Sequence, residues 1–165
     1  MRTWESRAGE EMSLFSPSFC GVLLWCAASA ESSKKSHGMQ LELLYLVLPL
    51  VLHRGTRETL PRDIRTSIPS WANANGLLCL FLAERARALV SFTREALCFG
   101  GRHSLFSWNQ TGIAANLSWK KSIEDYAKKS TLEVQECVRK ATFLGKWFQK
   151  TGDAATVMAI LGVRP

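Results

Sequence analysis

The chain has 165 residues, 47% of them hydrophobic, and 21 Lys and Arg against 14 Asp and Glu give a net charge of +7. That length suits one domain, and that hydrophobic share can fill a real core. Five cysteines, Cys20, Cys26, Cys79, Cys98 and Cys137, are odd in number, irregularly spaced and without a C-x-x-C pair, which argues against a disulfide framework or a zinc site and for reduced thiols in the cytoplasm.

Residues 1–11 read as a loose extension, and Met12 is an alternative natural start. Residues 12–30 carry no charge, and "FCGVLLWCAASAES" has some of the look of a signal peptide. The flank "ESRAGEEMS" lacks a basic excess, however, and Ser13, Ser16, Pro17 and Ser18 interrupt the apolar run. The preferred reading is a helix over 17–30, with Ser16 as its N-cap and Pro17 at its first position.

"ESSKKSHG" (31–38) reads as a polar loop. The uncharged run 43–52 is ten residues of almost purely aliphatic sequence. A spanning helix needs about 20 apolar residues, so this is predicted to be a core helix buried on several faces and not a membrane segment. Pro49 should kink or break its last turn. "GTRETLPRD" reads as a turn, with Pro61 placed to start a helix on which Ile64, Ile68 and Trp71 recur. After "WANANG", "LLCLFLAERARALV" is predicted as a second strongly apolar helix that turns charged at Glu84, Arg85 and Arg87.

In "VSFTREALCFGGRHSLFSWNQTGIAA", Ser91 or Thr93 can cap a helix whose first turn holds Glu95, and Gly100-Gly101 either ends it or admits another backbone. "HSLFSW" alternates as a strand, "NQTG" turns with Gly112 available for positive φ, and Ile113 to Ala115 return. Ser122 with Asp125, and Ser130 with Glu133, read as capping boxes, the second opening a helix of about twenty residues. Gly152 should end that helix, Asp153 cap a last short one, and Gly162 close it. The predicted fold is mainly helical: an extension (1–11), a helical core carrying a winged helix-turn-helix-like unit with one short β-hairpin (12–119), and a C-terminal helical segment packed on that core (120–165).

Asn109 and Asn116 match glycosylation sequons, which arise often by chance and matter only in a secreted eukaryotic protein. No P-loop, G-x-G-x-x-G, H-E-x-x-H or G-x-S-x-G occurs. Cys98 and His103 could be imagined as a thiol–imidazole pair, but nothing in the sequence supplies a third, orienting group. The expectation is a non-enzymatic protein without cofactor, metal or small-molecule substrate.

Three stretches, "LYLVLPLVLHRGTRETLPRDIRTSI" (44–68), "FLAERARALVSFTREALCFGGRHSLFSW" (81–108) and "ATFLGKWFQKTGDAATVMAILGVRP" (141–165), together resemble the middle component of three-component ABC-ATPase systems. The resemblance implies an adaptor between an ABC-type ATPase and a third, effector component of a prokaryotic conflict or defence system. Candidate partner-binding residues are Arg54, Arg57, Glu58, Arg62 and Arg65 in the turn after the core helix, with Trp147, Phe148 and Arg164 near the C-terminus. A structural turn held by an Arg–Glu pair competes with the first group. For the second, adjacency suggests that Trp147 and Phe148 cannot both face one core, so that one serves as an exposed anchor; burial of both between the last two helices is the competing reading.

The basic balance also admits nucleic acid, although acids interleaved with the bases fit an ordinary solvated surface equally. Under that alternative a winged helix would present Arg94 to the major groove, and Arg102, His103 and Asn109 to the backbone. "FTREALCFGG" offers only Arg94 as a basic reader, which counts against it.

Overall fold

The computed structural model describes residues 15–32, 38–110 and 112–164. The extension 1–11, Met12, most of the polar stretch 31–38 including His37, and Thr111 lie outside them.

Helix α1 (Pro17–Ser32) starts where its chemistry predicts: the Phe19 N–H donates to Ser16 Oγ at 3.2 Å. It runs through the middle of the molecule, with Leu23, Leu24, Ala27 and Ala28 wholly buried. Helix α2 (Leu41–Val51) is buried from Leu43 onward except at the half-buried Tyr45, as a helix apolar on nearly every side must be. Pro49 sits in its last turn and the helix stops two residues later.

The next segment departs from expectation. "RGTRET" forms a short helix, α3 (Arg54–Thr59), and Pro61 starts nothing. Residues 60–67 are irregular, and the following helix, α4 (Ile68–Ala74), is capped by Ser67 Oγ, which accepts from the Ser70 N–H at 3.2 Å. Ile68 and Trp71 are buried, but Ile64 stays outside. The apolar run 77–90 is not one helix either. It breaks into α5 (Gly76–Leu80) and α6 (Leu82–Ala88), with joints at Phe81 and Leu89.

Helix α7 (Val90–Arg102) begins before Ser91 and Thr93, so neither caps it. Thr93 is buried, and its hydroxyl donates back to the Leu89 carbonyl at 3.1 Å. Gly100 and Gly101 lie inside the last turn rather than ending it. Gly100 is needed because a Cβ there would collide with the Phe106 ring. Strands β1 (Phe106–Asn109) and β2 (Gly112–Ala115) pair antiparallel, Phe106 opposite Ala115 and Asn109 opposite Gly112. Met39 adds a bridge on the far side of β2, exchanging two N–H···O bonds of 2.8 Å with Ile113. The Met39 carbonyl occupies the place of a Gly112 Cβ, so close approach, and not positive φ, is why this position is glycine.

A 3-10 turn (Leu117–Trp119) leads into α8 (Lys120–Lys129), which contains Ser122 and is not capped by it. Ser130 is spent closing α8, its hydroxyl donating to the Tyr126 carbonyl at 2.7 Å. Thr131 therefore caps α9 (Leu132–Thr151), accepting from the Val134 N–H. Gly152 (φ 123°) ends α9, Asp153 Oδ1 caps α10 (Ala154–Ile160) at 2.7 Å from the Thr156 N–H, and Gly162 (φ 69°) closes it.

Packing follows from side-chain size. α9 crosses α1 at Gly145, whose missing Cβ leaves room for the Ala27 carbonyl and Ala30 Cβ. α7 packs on another side of α1, and α2 lies against α1, α6 and α9. The result is a mainly helical fold with one hairpin. Among the described residues no helix is long and apolar enough to cross a membrane.

Candidate partner-binding surfaces

The turn after α2 is wired internally. His53 caps α3: its Nδ1 accepts from the Thr56 N–H at 3.1 Å and lies 2.8 Å from Thr56 Oγ1. Thr56 is wholly buried, and its Oγ1 accepts from Arg85 Nη2 at 3.1 Å, which leaves the hydroxyl proton for Nδ1. Partial desolvation of the ring, reinforced by Arg85 and Arg57, holds the imidazole below its usual pKa, in keeping with an Nδ1 that only accepts. Arg85 also donates to the Leu78 carbonyl at 3.0 Å, and burial lowers its pKa from the ordinary guanidinium value.

Arg57 is 2% exposed. Its Nη1 donates to the Val51 carbonyl at 2.9 Å, its Nη2 to Glu133 Oε1 at 2.8 Å, and its Nε lies 3.6 Å from Glu136 Oε2. It joins the end of α2 to the start of α9 and is held inside rather than facing solvent. Arg54 and Glu58 do face solvent, paired at 2.7 Å across one helical turn. Arg62 and Arg65 are exposed in the irregular 60–67 segment, where the Arg65 N–H donates to Asp63 Oδ1.

Trp147 and Phe148 are both wholly buried, so the exposed-anchor expectation is corrected. The adjacency argument assumed a single core face. α9 is covered over a wide arc, by α1 on one side and by the 60–67 segment and α4 on another. Trp147 stands edge-on to Trp71, with ring centroids 5.8 Å apart, and its indole N–H donates to the Thr66 carbonyl at 2.7 Å.

The four residues of the nucleic-acid reading are exposed, but Arg94 stands apart from the other three. Asn109 Oδ1 accepts from the Gly112 N–H at 2.8 Å and so closes the hairpin. His103 lies against the Phe99 ring, centroids 4.3 Å apart, and among the described residues nothing joins it to Cys98. Arg102 stands about 12 Å along the helix axis from Arg94. Arg94 instead meets Arg164 and Arg87 on the rim of a separate groove. Two candidates of different origin, one from each reading, therefore share a site.

One surface escaped the sequence reading. Leu77, Leu80 and Phe81 are 76%, 69% and 52% exposed, at the i, i+3 and i+4 positions of α5 and its end. The signal was present as an apolar run, but residue type alone does not separate core from contact surface.

A family model for the ABC-three component (ABC-3C) system Middle Component 3 matches residues 4–165, nearly the whole chain. The chain belongs to that family. No curated protein and no solved structure gives a significant match. Membership implies association with the other components of such a system. In this Middle Component 3 the motifs behind the resemblance are largely internal: "LVLPLVLHRGTRE" is core helix, cap and the Arg57 clamp, and "FLGKWF" holds the α1 crossing and the Trp147 bond.

Proposed function

We propose that this Middle Component 3 is a non-enzymatic adaptor that joins an ABC-type ATPase to the third component of a prokaryotic conflict system, with the α5 ridge as a docking surface. The observation that carries the reading is the ridge itself. Scattered exposed leucines are ordinary on any protein, but three large apolar side chains on one face of so short a helix form a contiguous patch, the usual mark of an interaction site. Complete burial would contribute roughly 1.5–3 kcal/mol for each. The sequence adds support, since it carries none of the motifs by which nucleotide or catalytic metal is usually held.

The nucleic-acid alternative has less behind it. Arg94 and Arg102 serve different places, and the β2 edge of the hairpin is engaged by Met39. The test is co-purification of the tagged chain with the ATPase of its own system, with and without nuclease. The Leu77→Glu/Leu80→Glu variant is expected to melt like the parent and to lose the ATPase. Undiminished capture by that variant refutes the ridge; capture of nucleic acid alone refutes the adaptor.

A further inference from the structure

We infer that the groove between α2, the α6–α7 joint and the C-terminal residues receives an acidic amphipathic segment of a partner protein. The groove encloses about 390 Å³. Its floor is apolar: Leu46, Ala86, Met158 and Val163 are buried there, with Tyr45 and Val90 half-buried beside them. Its rim carries three exposed arginines, Arg87 on α6 and Arg94 on α7 flanking the joint at Leu89, and Arg164 after α10. Among the described residues none of these guanidinium groups makes an ion pair or a hydrogen bond. Among the described residues Glu42 is the single carboxylate on the rim, against three arginines, an excess of two positive charges.

The combination selects the occupant. A guanidinium fork matches a carboxylate in two parallel hydrogen bonds, and such charge-assisted bonds are the strong ones. An apolar floor needs apolar side chains, which an amphipathic helix offers at i, i+3, i+4 and i+7. A phosphate backbone would satisfy the arginines and leave the floor wet. The wider neighbouring depression, which shares Met158 and Val163, sets Glu42 and Asp153 against Arg164 and has no positive excess. It lacks the same logic.

The inference rests on the adaptor reading only for which protein supplies the segment. The test is therefore built in two parts. Purified chain is applied to an array of overlapping peptides tiled over the ATPase and the third component, together with designed acidic amphipathic helices and their Lys-for-Glu counterparts. Acidic peptides with apolar residues at helical spacing should be captured. Arg87→Glu/Arg94→Glu should weaken that capture by about tenfold or more, a loss of at least about 1.4 kcal/mol. Arg102→Glu, the same charge change outside the groove, should leave capture intact, and the reversed variant should gain the Lys-bearing helices. Arg164→Glu supplies a second variant near the chain end should the double change unfold the protein.

The inference is overturned by capture of no acidic peptide, by capture indifferent to reversal, by Arg94-dependent binding of a short DNA duplex in place of peptides, or by self-association in sedimentation that the reversal abolishes. Failure of the intact ATPase to co-purify, with designed acidic helices still bound, refutes the adaptor and leaves the groove standing.

Discussion

Replacing Arg57 with Ala removes three interactions from a position that is 2% exposed. The Val51 carbonyl loses the Nη1 donor, and an unpartnered buried carbonyl costs about 1–3 kcal/mol. The ion pairs count for less. The Glu133 side chain is 64% exposed and can turn to water, so its share is about 0–1 kcal/mol. Two buried methylenes of the stem add about 0.8 kcal/mol each. The whole change comes to about 4 kcal/mol, and at about 2–4 °C per kcal/mol for a chain of this length Tm should fall by roughly 8–16 °C. Thermal melting by circular dichroism reads this directly, with Glu133→Gln beside it. That second variant should cost under about 1 kcal/mol. An Arg57→Ala melt within about 2 °C of the parent would refute the clamp. Equal losses in the two variants would show that the exposed ion pair, and not the carbonyl and the packed stem, carries the effect.

Two further outcomes follow from local geometry. Gly145→Ala places a methyl against the Ala27 carbonyl and Ala30, forcing α1 and α9 apart, and should cost about 1–3 kcal/mol in urea denaturation despite the higher helix propensity of Ala. His53 titrates lower in the folded chain than its ordinary 6.5, so below that pH the unfolded state binds the extra proton; stability should be full above pH 6.5 and decline as pH falls toward the folded value, and His53→Asn should remove that part of the slope in melts taken across pH 5 to 7.

Helix ends were legible in the sequence because their chemistry is local. Ser16 with Pro17, and Gly152 followed by Asp153, act within four residues of themselves. α9 was equally legible, being long and periodic. The 60–67 segment was not: Pro61 has the right φ for a helix start, yet its neighbours' carbonyls are claimed by side chains some 80 residues away. Ser130 missed by one position, since its hydroxyl can serve either the helix before it or the one after. The turn does hold an Arg–Glu pair of its own, Arg54 with Glu58, but the reach of Arg57 to α9 was not legible, because sequence spacing carries no information on which distant helix comes near. The α5 ridge and the arginine groove are invisible for the same reason: each is defined by what fails to cover it or by what three distant segments bring together.

The "FLGKWF" stretch can be explained by what α9 does for an irregular neighbour. Residues 60–67 form neither helix nor strand, so their carbonyls need donors from elsewhere. One stripe of α9 and its surroundings supplies them: Lys140 Nζ donates to the Leu60 carbonyl at 2.8 Å, Trp147 Nε1 to Thr66 at 2.7 Å, and Lys150 Nζ to Ile64 at 2.7 Å. Positions 140, 147 and 150 recur at intervals of seven and three, which keeps them on one helical face. Trp147 is the buried member, so Trp147→Phe isolates the bond while keeping most of the ring's volume. It should cost about 0.5–1.5 kcal/mol, the net worth of a typical hydrogen bond, since Thr66 is exposed and its carbonyl can turn to water. It should also raise amide exchange over 60–67 while leaving α1 and α7 protected. A structural role predicts no change in partner capture beyond what lost stability explains. If Trp147→Phe melted like the parent and still lost the ATPase, the indole would be contacting the partner, and the division between internal motifs and outer surfaces would have to be redrawn around α9.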